Sequence, residues 1–166
     1  LYDALMRLPI VALTLFFLGR EMLALREVVG ARPYFGGDWP FAANVAARVS
    51  VLLFLILLAV LHASRRRPVR KYETWRPKII ALLGLSFTYL LLLLQRATPD
   101  ALWDSLSAVL ILLGNTLCIL AVLDLGCSLS IMPEARKLVT DGLYRRIRHP
   151  LYLAEEIAVL GVFLQF

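Results

Sequence analysis

The chain has 166 residues, 60% of them apolar, with a mean hydropathy of +0.76 and a formal net charge of +6 at pH 7. A soluble domain is closer to half apolar. The excess, gathered into long runs, excludes an ordinary soluble core and points to a single integral-membrane domain over residues 1–166, with little chain left for a second unit. The positive charge flanks apolar runs and forms no binding motif, which argues against nucleic acid as a partner.

Cys118 and Cys127 are nine residues apart, a spacing that fits no metal or redox motif, so two unpaired thiols are expected. No secretory signal is evident: there is no basic start and no small-residue cleavage site after the first apolar run. The first residue is not Met, and the natural start is expected to lie upstream.

The first apolar run covers residues 8–19. Twelve residues rise about 18 Å as a helix, short of the roughly 30 Å hydrocarbon core. Adding residues 4–6 and 22–25 makes a span possible, with Arg7 and Arg20 reaching to the interfaces; the alternative is a re-entrant or interfacial helix. Residues 20–40 read as the first connection. Gly30, Pro33, Gly36, Gly37 and Pro40 break helix. Tyr34, Phe35 and Trp39 suit the headgroup level. Arg20, Arg26 and Arg32 balance Glu21, Glu27 and Asp38.

The second run, residues 41–63, is long enough to cross a bilayer with some tilt. Asn44 and Arg48 share a face near one end. An arginine in a span faces protein or water, or snorkels to the interface; snorkelling is the expectation. His62, at the far end, is expected to be solvated. Residues 64–78 follow with seven basic side chains against Glu73, a balance of +6. That places the loop on the cytoplasmic side. It could also hold an anionic headgroup or substrate.

The third run, residues 79–94, is strongly apolar and half leucine, with Ser86, Thr88 and Tyr89 as its polar residues. The short link to Asp104 makes the third and fourth runs an antiparallel hairpin. The fourth run, residues 106–125, carries Gly114, Asn115 and Thr116 mid-span. These favour close helix packing and hydrogen bonds between helices. Asp124 falls at the membrane boundary. Residues 126–150 hold five basic side chains against Glu134 and Asp141, net +3, and also belong on the cytoplasmic side. The last run, residues 151–166, starts straight after Pro150, a residue suited to the first turn of a helix. It rises about 24 Å, so the expectation is a fifth span cut short, with further sequence beyond Phe166. The fold class expected is therefore all-α: a polytopic bundle of about five transmembrane helices.

Polar chemistry concentrates in residues 136–156. Thr140-Asp141-Gly142 reads as a turn. Arg145, Arg146 and Arg148 crowd the membrane surface, and His149-Pro150 opens the last helix, whose free N–H groups attract anions. Arginines beside it strengthen a carboxylate or phosphate site. Glu155 and Glu156 lie one to two turns in; they are either functional or paired with an arginine or Lys137 at the interface.

Leu138-Val139-Thr140, Gly142, Tyr144, Arg148-His149-Pro150 and Tyr152, at this spacing, resemble the signature of integral-membrane methyltransferases. These are the isoprenylcysteine carboxyl methyltransferases and their bacterial relatives, with phospholipid N-methyltransferases as distant kin. The motif covers about fifteen residues; the hydropathy of residues 41–166 is compatible with the family. The resemblance implies S-adenosylmethionine as cofactor, held by Arg136, Lys137, Leu138, Val139, Tyr144, His149, Pro150, Leu151 and Tyr152. His149 would hydrogen-bond the cofactor; one histidine without partners makes a poor metal site. The resemblance also implies a bilayer-embedded enzyme of the bacterial inner-membrane kind acting on a lipidic or prenylated carboxylate, or on a phospholipid amine. Members carry a further cytoplasmic stretch whose Glu and Arg complete the site, and residues 1–166 contain no counterpart. A non-catalytic membrane scaffold or lipid-binding protein is the reading from another class, and cofactor binding separates it from the enzyme.

Overall fold

In the computed structural model the described residues are 2–30, 39–64, 76, 79, 80, 83, 100–129 and 138–165, with the side chains of 2–7 and 9 left aside. They form α-helices and short 3-10 turns, with no strand among them. Among the described residues, long helices follow in order: α1 (Tyr2–Gly30), α2 (Trp39–Ser64), α3 (Ala101–Leu125) and α4 (Pro150–Phe163). Two 3-10 turns, Gly126–Ser128 and Gly142–Arg145, lie between α3 and α4.

α1 is longer than the apolar run that seeds it. Residues 20–30, expected to belong to a connection, continue the helix. The reason is local: Arg20-Glu21-Met22-Leu23-Ala24-Leu25-Arg26-Glu27 is a string of good helix formers, and no Gly or Pro falls between Arg20 and Val29. At 29 residues, α1 reaches about 43 Å. One face carries its buried and half-buried side chains, with Ile10 and Thr14 enclosed and the Thr14 hydroxyl donating to the Ile10 carbonyl at 2.8 Å.

The extra turns of α1 give Arg48 a partner. Its Nη1 donates to Glu21 Oε1 at 2.8 Å, and its Nε donates to Asn44 Oδ1 at 3.1 Å. Arg48 therefore faces protein, between α1 and α2, and the snorkelling expected from its place near a helix end is not what the fold uses. Glu21 and Arg48 stand nine residues before Gly30 and nine after Trp39, the register of an antiparallel α1–α2 hairpin. His62 also departs from expectation. It is 1% exposed, with its Nδ1 2.9 Å from the Leu58 carbonyl.

α2 and α3 run parallel. Ala43 and Ala47, near the start of α2, cluster with Ala108 and Ile111, near the start of α3. Ser64 and Ala101 therefore lie at opposite ends of the pair. The run expected to cross between them, residues 79–94, lies mostly outside the described residues; within it Ile79, Ile80 and Leu83 are helical and exposed. α3 begins earlier than expected, because Asp100 caps it by accepting the Leu102 N–H at 2.9 Å. Asp104 then sits in the first turn, where the helix dipole favours an acid.

α2 and the segment Ala101–Ser128 are long and apolar enough to cross a membrane. Only 22% and 44% of their most apolar stretches are buried within the chain. Leu53, Ile56 and Val60 on α2, and Val109, Leu113, Leu120 and Leu123 on α3, are exposed. These exposed side chains lie on the two helices whose length and composition would let them cross a membrane.

α3 and α4 pack backbone to backbone at their glycines. Gly114 lies so near α4 that a Cβ there would meet the Ala158 nitrogen at 2.5 Å and its Cα at 2.7 Å. Gly161 approaches α3 in the same way: a Cβ there would meet the Ile111 nitrogen at 2.9 Å. Close approach at Gly114 agrees with the sequence reading. The hydrogen bonding does not: Asn115 Nδ2 donates to Ile111 O and the Thr116 hydroxyl to Leu112 O, both within α3. The bond between helices comes from buried Ser107, whose hydroxyl donates to the Gly161 carbonyl at 2.7 Å and accepts from Gln165 Nε2 at 2.7 Å. The one-carbon hydroxyl side chain of serine fits where backbones nearly touch; a mid-span amide turns back to its own helix.

Candidate functional site

The motif lies where the α3–α4 hairpin closes. Gly126 ends α3 with φ +49° and ψ −134°, a positive-φ conformation that glycine adopts without strain, and its N–H reaches the Val122 carbonyl. Residues 130–137 lie outside the described residues, so the expected contributions of Arg136 and Lys137 fall there. The chain is described again from Leu138, which is 82% exposed, and Val139, which is half-buried.

The turn expected at Thr140-Asp141-Gly142 becomes the entry to a 3-10 helix. Gly142 takes φ +60°, and a Cβ at this position would run into the Asp124 carboxylate. That carboxylate accepts the Leu143 N–H at 2.8 Å. Asp141, which precedes the turn, makes no side-chain cap. The turn closes when the Leu143 carbonyl accepts both the Arg146 and Ile147 N–H groups, at 3.1 and 3.0 Å. Gly142, Leu143, Arg145 and Arg146 line an open cavity of about 490 Å³, a size within the range of small-molecule sites.

Tyr144 is half-buried, and its hydroxyl is pushed up to about 12 by burial first, then by the carboxylates of Asp124 and Glu155, with Tyr152 adding to them. The phenol is therefore a neutral O–H donor across the physiological range. His149 precedes the first turn of α4 and makes no side-chain cap; Pro150 is buried at the first helical position, as expected of proline there. The His149 ring stacks on Tyr152, with centroids 5.5 Å apart and planes 22° from parallel. Both rings are exposed, and Leu151 is half-buried beside them.

Among the expected site residues, Tyr144, His149 and Tyr152 thus share one neighbourhood: Tyr152 stacks on one and acts electrostatically on the other. None of the nine is among the described residues lining the cavity, which belongs to the turn between them. Glu155 and Glu156 are exposed on α4. Asp124 was not singled out for the site. Its only signal in the sequence is an acid at a helix C-terminus, where the dipole disfavours one.

Arg145 and Arg146 at the cavity offer charge-assisted bonds to a carboxylate. The stacked His149–Tyr152 pair offers a flat surface to a planar ring. Comparison with protein-family models, with characterised proteins and with solved structures finds no match.

Proposed function

We propose that the protein is an integral-membrane methyltransferase that takes its methyl group from S-adenosylmethionine and transfers it to a lipidic substrate, on a carboxylate in the first instance. The observation that carries this reading is the motif from Leu138 to Tyr152, resembling the isoprenylcysteine carboxyl methyltransferase signature at matching spacing. It is supported by the convergence of Tyr144, His149 and Tyr152 beside a cavity edged by two arginines, at one end of an apolar hairpin.

When bound, the cofactor supplies an electrophilic methyl on a sulfonium. Transfer then needs in-line approach by the nucleophile in a site shielded from water, and little acid–base chemistry. The protein's part is to bind and orient. Arg136, Lys137, Arg145 and Arg146 would hold the carboxylate end. Leu138, Val139, Leu151 and the His149–Tyr152 pair would cover the adenine, and the Tyr144 O–H would donate a hydrogen bond. The acceptor would come from the bilayer, between the apolar helices. On this reading residues 64–78 and 138–149 face the cytoplasm of a bacterial inner membrane, in accord with their positive charge.

Calorimetry with full-length protein in detergent tests the reading. S-adenosylmethionine is expected to bind, and His149→Ala is expected to weaken binding about tenfold or more, roughly 1.4 kcal/mol. No binding to wild-type protein would leave the scaffold reading standing and overturn the enzyme. Labelled methyl transfer into membrane extracts then identifies the nucleophile: base-labile label means an ester, base-stable label an amine.

A further inference from the structure

Asp124 is the one acid in the last turns of α3, and nothing in α3 accounts for it. The C-terminal end of a helix repels a carboxylate, and the last turn holds no basic residue to offset it. Its interaction is instead with the motif. Oδ2 accepts the Leu143 N–H at 2.8 Å, across 19 residues of chain. Leu143 is the second residue of the 3-10 helix, where an N–H lacks an intrahelical partner. The side chain that would ordinarily serve it, Asp141, does not. Gly142 completes the fit from the other side: with φ +60° and no Cβ, it leaves the carboxylate room to reach the amide.

We propose that Asp124 is a positioning residue. Its carboxylate clasps the Gly142–Arg145 turn to the end of α3, and so sets the places of Tyr144, Arg145 and Arg146 in the cofactor site. The proposal rests on the methyltransferase reading above. It explains why an exposed acid stands at an unfavourable helix end, and why glycine occupies position 142. The clasp is a single hydrogen bond to a backbone amide, so what it requires of residue 124 is a short side chain with an acceptor oxygen; the negative charge is incidental.

The experiment uses full-length protein in lipid nanodiscs, as wild type, Asp124→Ala, Asp124→Asn and Gly142→Ala. Two quantities are read: the affinity for S-adenosylmethionine, and hydrogen exchange at the Leu143 amide. Asp124→Ala is expected to weaken affinity about tenfold and to speed exchange at Leu143. Asp124→Asn keeps the acceptor and is expected to stay within about twofold of wild type, a rescue that a general loss of packing would not give. Gly142→Ala breaks the same contact from the other side and is expected to behave like Asp124→Ala, which keeps the test alive if Asp124→Ala does not fold. Wild-type affinity in Asp124→Ala, or a loosened turn with unchanged affinity, overturns the proposal while leaving the methyltransferase reading intact. If wild-type protein binds no S-adenosylmethionine, that reading falls and the role in cofactor binding falls with it; protection of the Leu143 amide then separately shows whether the clasp exists.

Discussion

Tyr144 carries the clearest electrostatic signature in the motif. Its pKa rises from 10.0 to about 12, first because the ring is partly buried and then because Asp124 and Glu155 place negative charge nearby. A tyrosine with a raised folded-state pKa gives up its proton more readily in the unfolded chain. Its contribution to stability is therefore intact below about pH 10 and is lost as the pH rises towards 12. An ultraviolet titration of wild type against Tyr144→Phe should assign a phenol that ionises near pH 12 to Tyr144. Asp124→Asn should bring that ionisation down, since the second cause is removed. A Tyr144 that titrates like a free tyrosine would mean that the turn does not pack against the end of α3 as described. The elevated pKa was not legible in the chain, because Asp124 lies 20 residues from Tyr144 and Glu155 lies 11. The place of the turn was legible, because Gly142 takes the positive φ it needs without strain; that Asp141 would leave the turn to Asp124 was not.

The α3–α4 pair shows how small residues act when two helices nearly touch. Glycine inside a helix costs about 1 kcal/mol relative to alanine, so replacing it ordinarily stabilises. At Gly114 the added Cβ would meet the backbone of Ala158, which cannot swing aside as a side-chain tip could. Overpacking of that kind costs about 1–3 kcal/mol and outweighs the gain in propensity. Gly114→Ala should therefore lower the melting temperature of purified protein in detergent. Gly19→Ala should leave it unchanged or raise it, because nothing lies within 4 Å of a Cβ there. Equal behaviour at the two positions would show that the helices do not approach as closely as described. The Arg48–Glu21 pair makes a related point about α1 and α2. Both side chains are only about a fifth to a quarter exposed, so removing one partner would strand a charge rather than merely lose a weak surface contact. The sequence showed Asn44 and Arg48 on one face, but Glu21 was hidden in what read as a loop.

The arrangement of the whole chain rests on α2 and α3 being parallel, with α4 folded back along α3. The C-terminal ends of α2 and α3 and the motif then occupy one end, and the start of α3 occupies the other. Single cysteines introduced as Ser64→Cys, Thr140→Cys and Ala101→Cys, each exposed in the wild-type chain, read this directly in a background lacking Cys118 and Cys127. In sealed vesicles the first two should label from the same side and the third from the opposite side. Labelling of Ser64→Cys and Thr140→Cys from opposite faces would overturn the topology. The basic stretches at residues 64–78 and 126–150 predict that their shared side is the cytoplasm.

The chain's apolar runs were enough to dictate an all-helical protein and to locate α2, α3 and α4 to within a few residues, because helix in an apolar run is a local outcome of backbone satisfaction and side-chain hydropathy. The turn at Gly142 and the His-Pro helix start were legible because glycine and proline set backbone conformation locally. Partnership was not. Arg48 with Glu21, Ser107 with Gly161, and Asp124 with Leu143 join residues 19 to 54 positions apart. Each depends on which faces of two helices meet, and periodicity within one helix does not specify its partner's register. Only the packed structure turns an acid at a helix end into the anchor of the turn that follows.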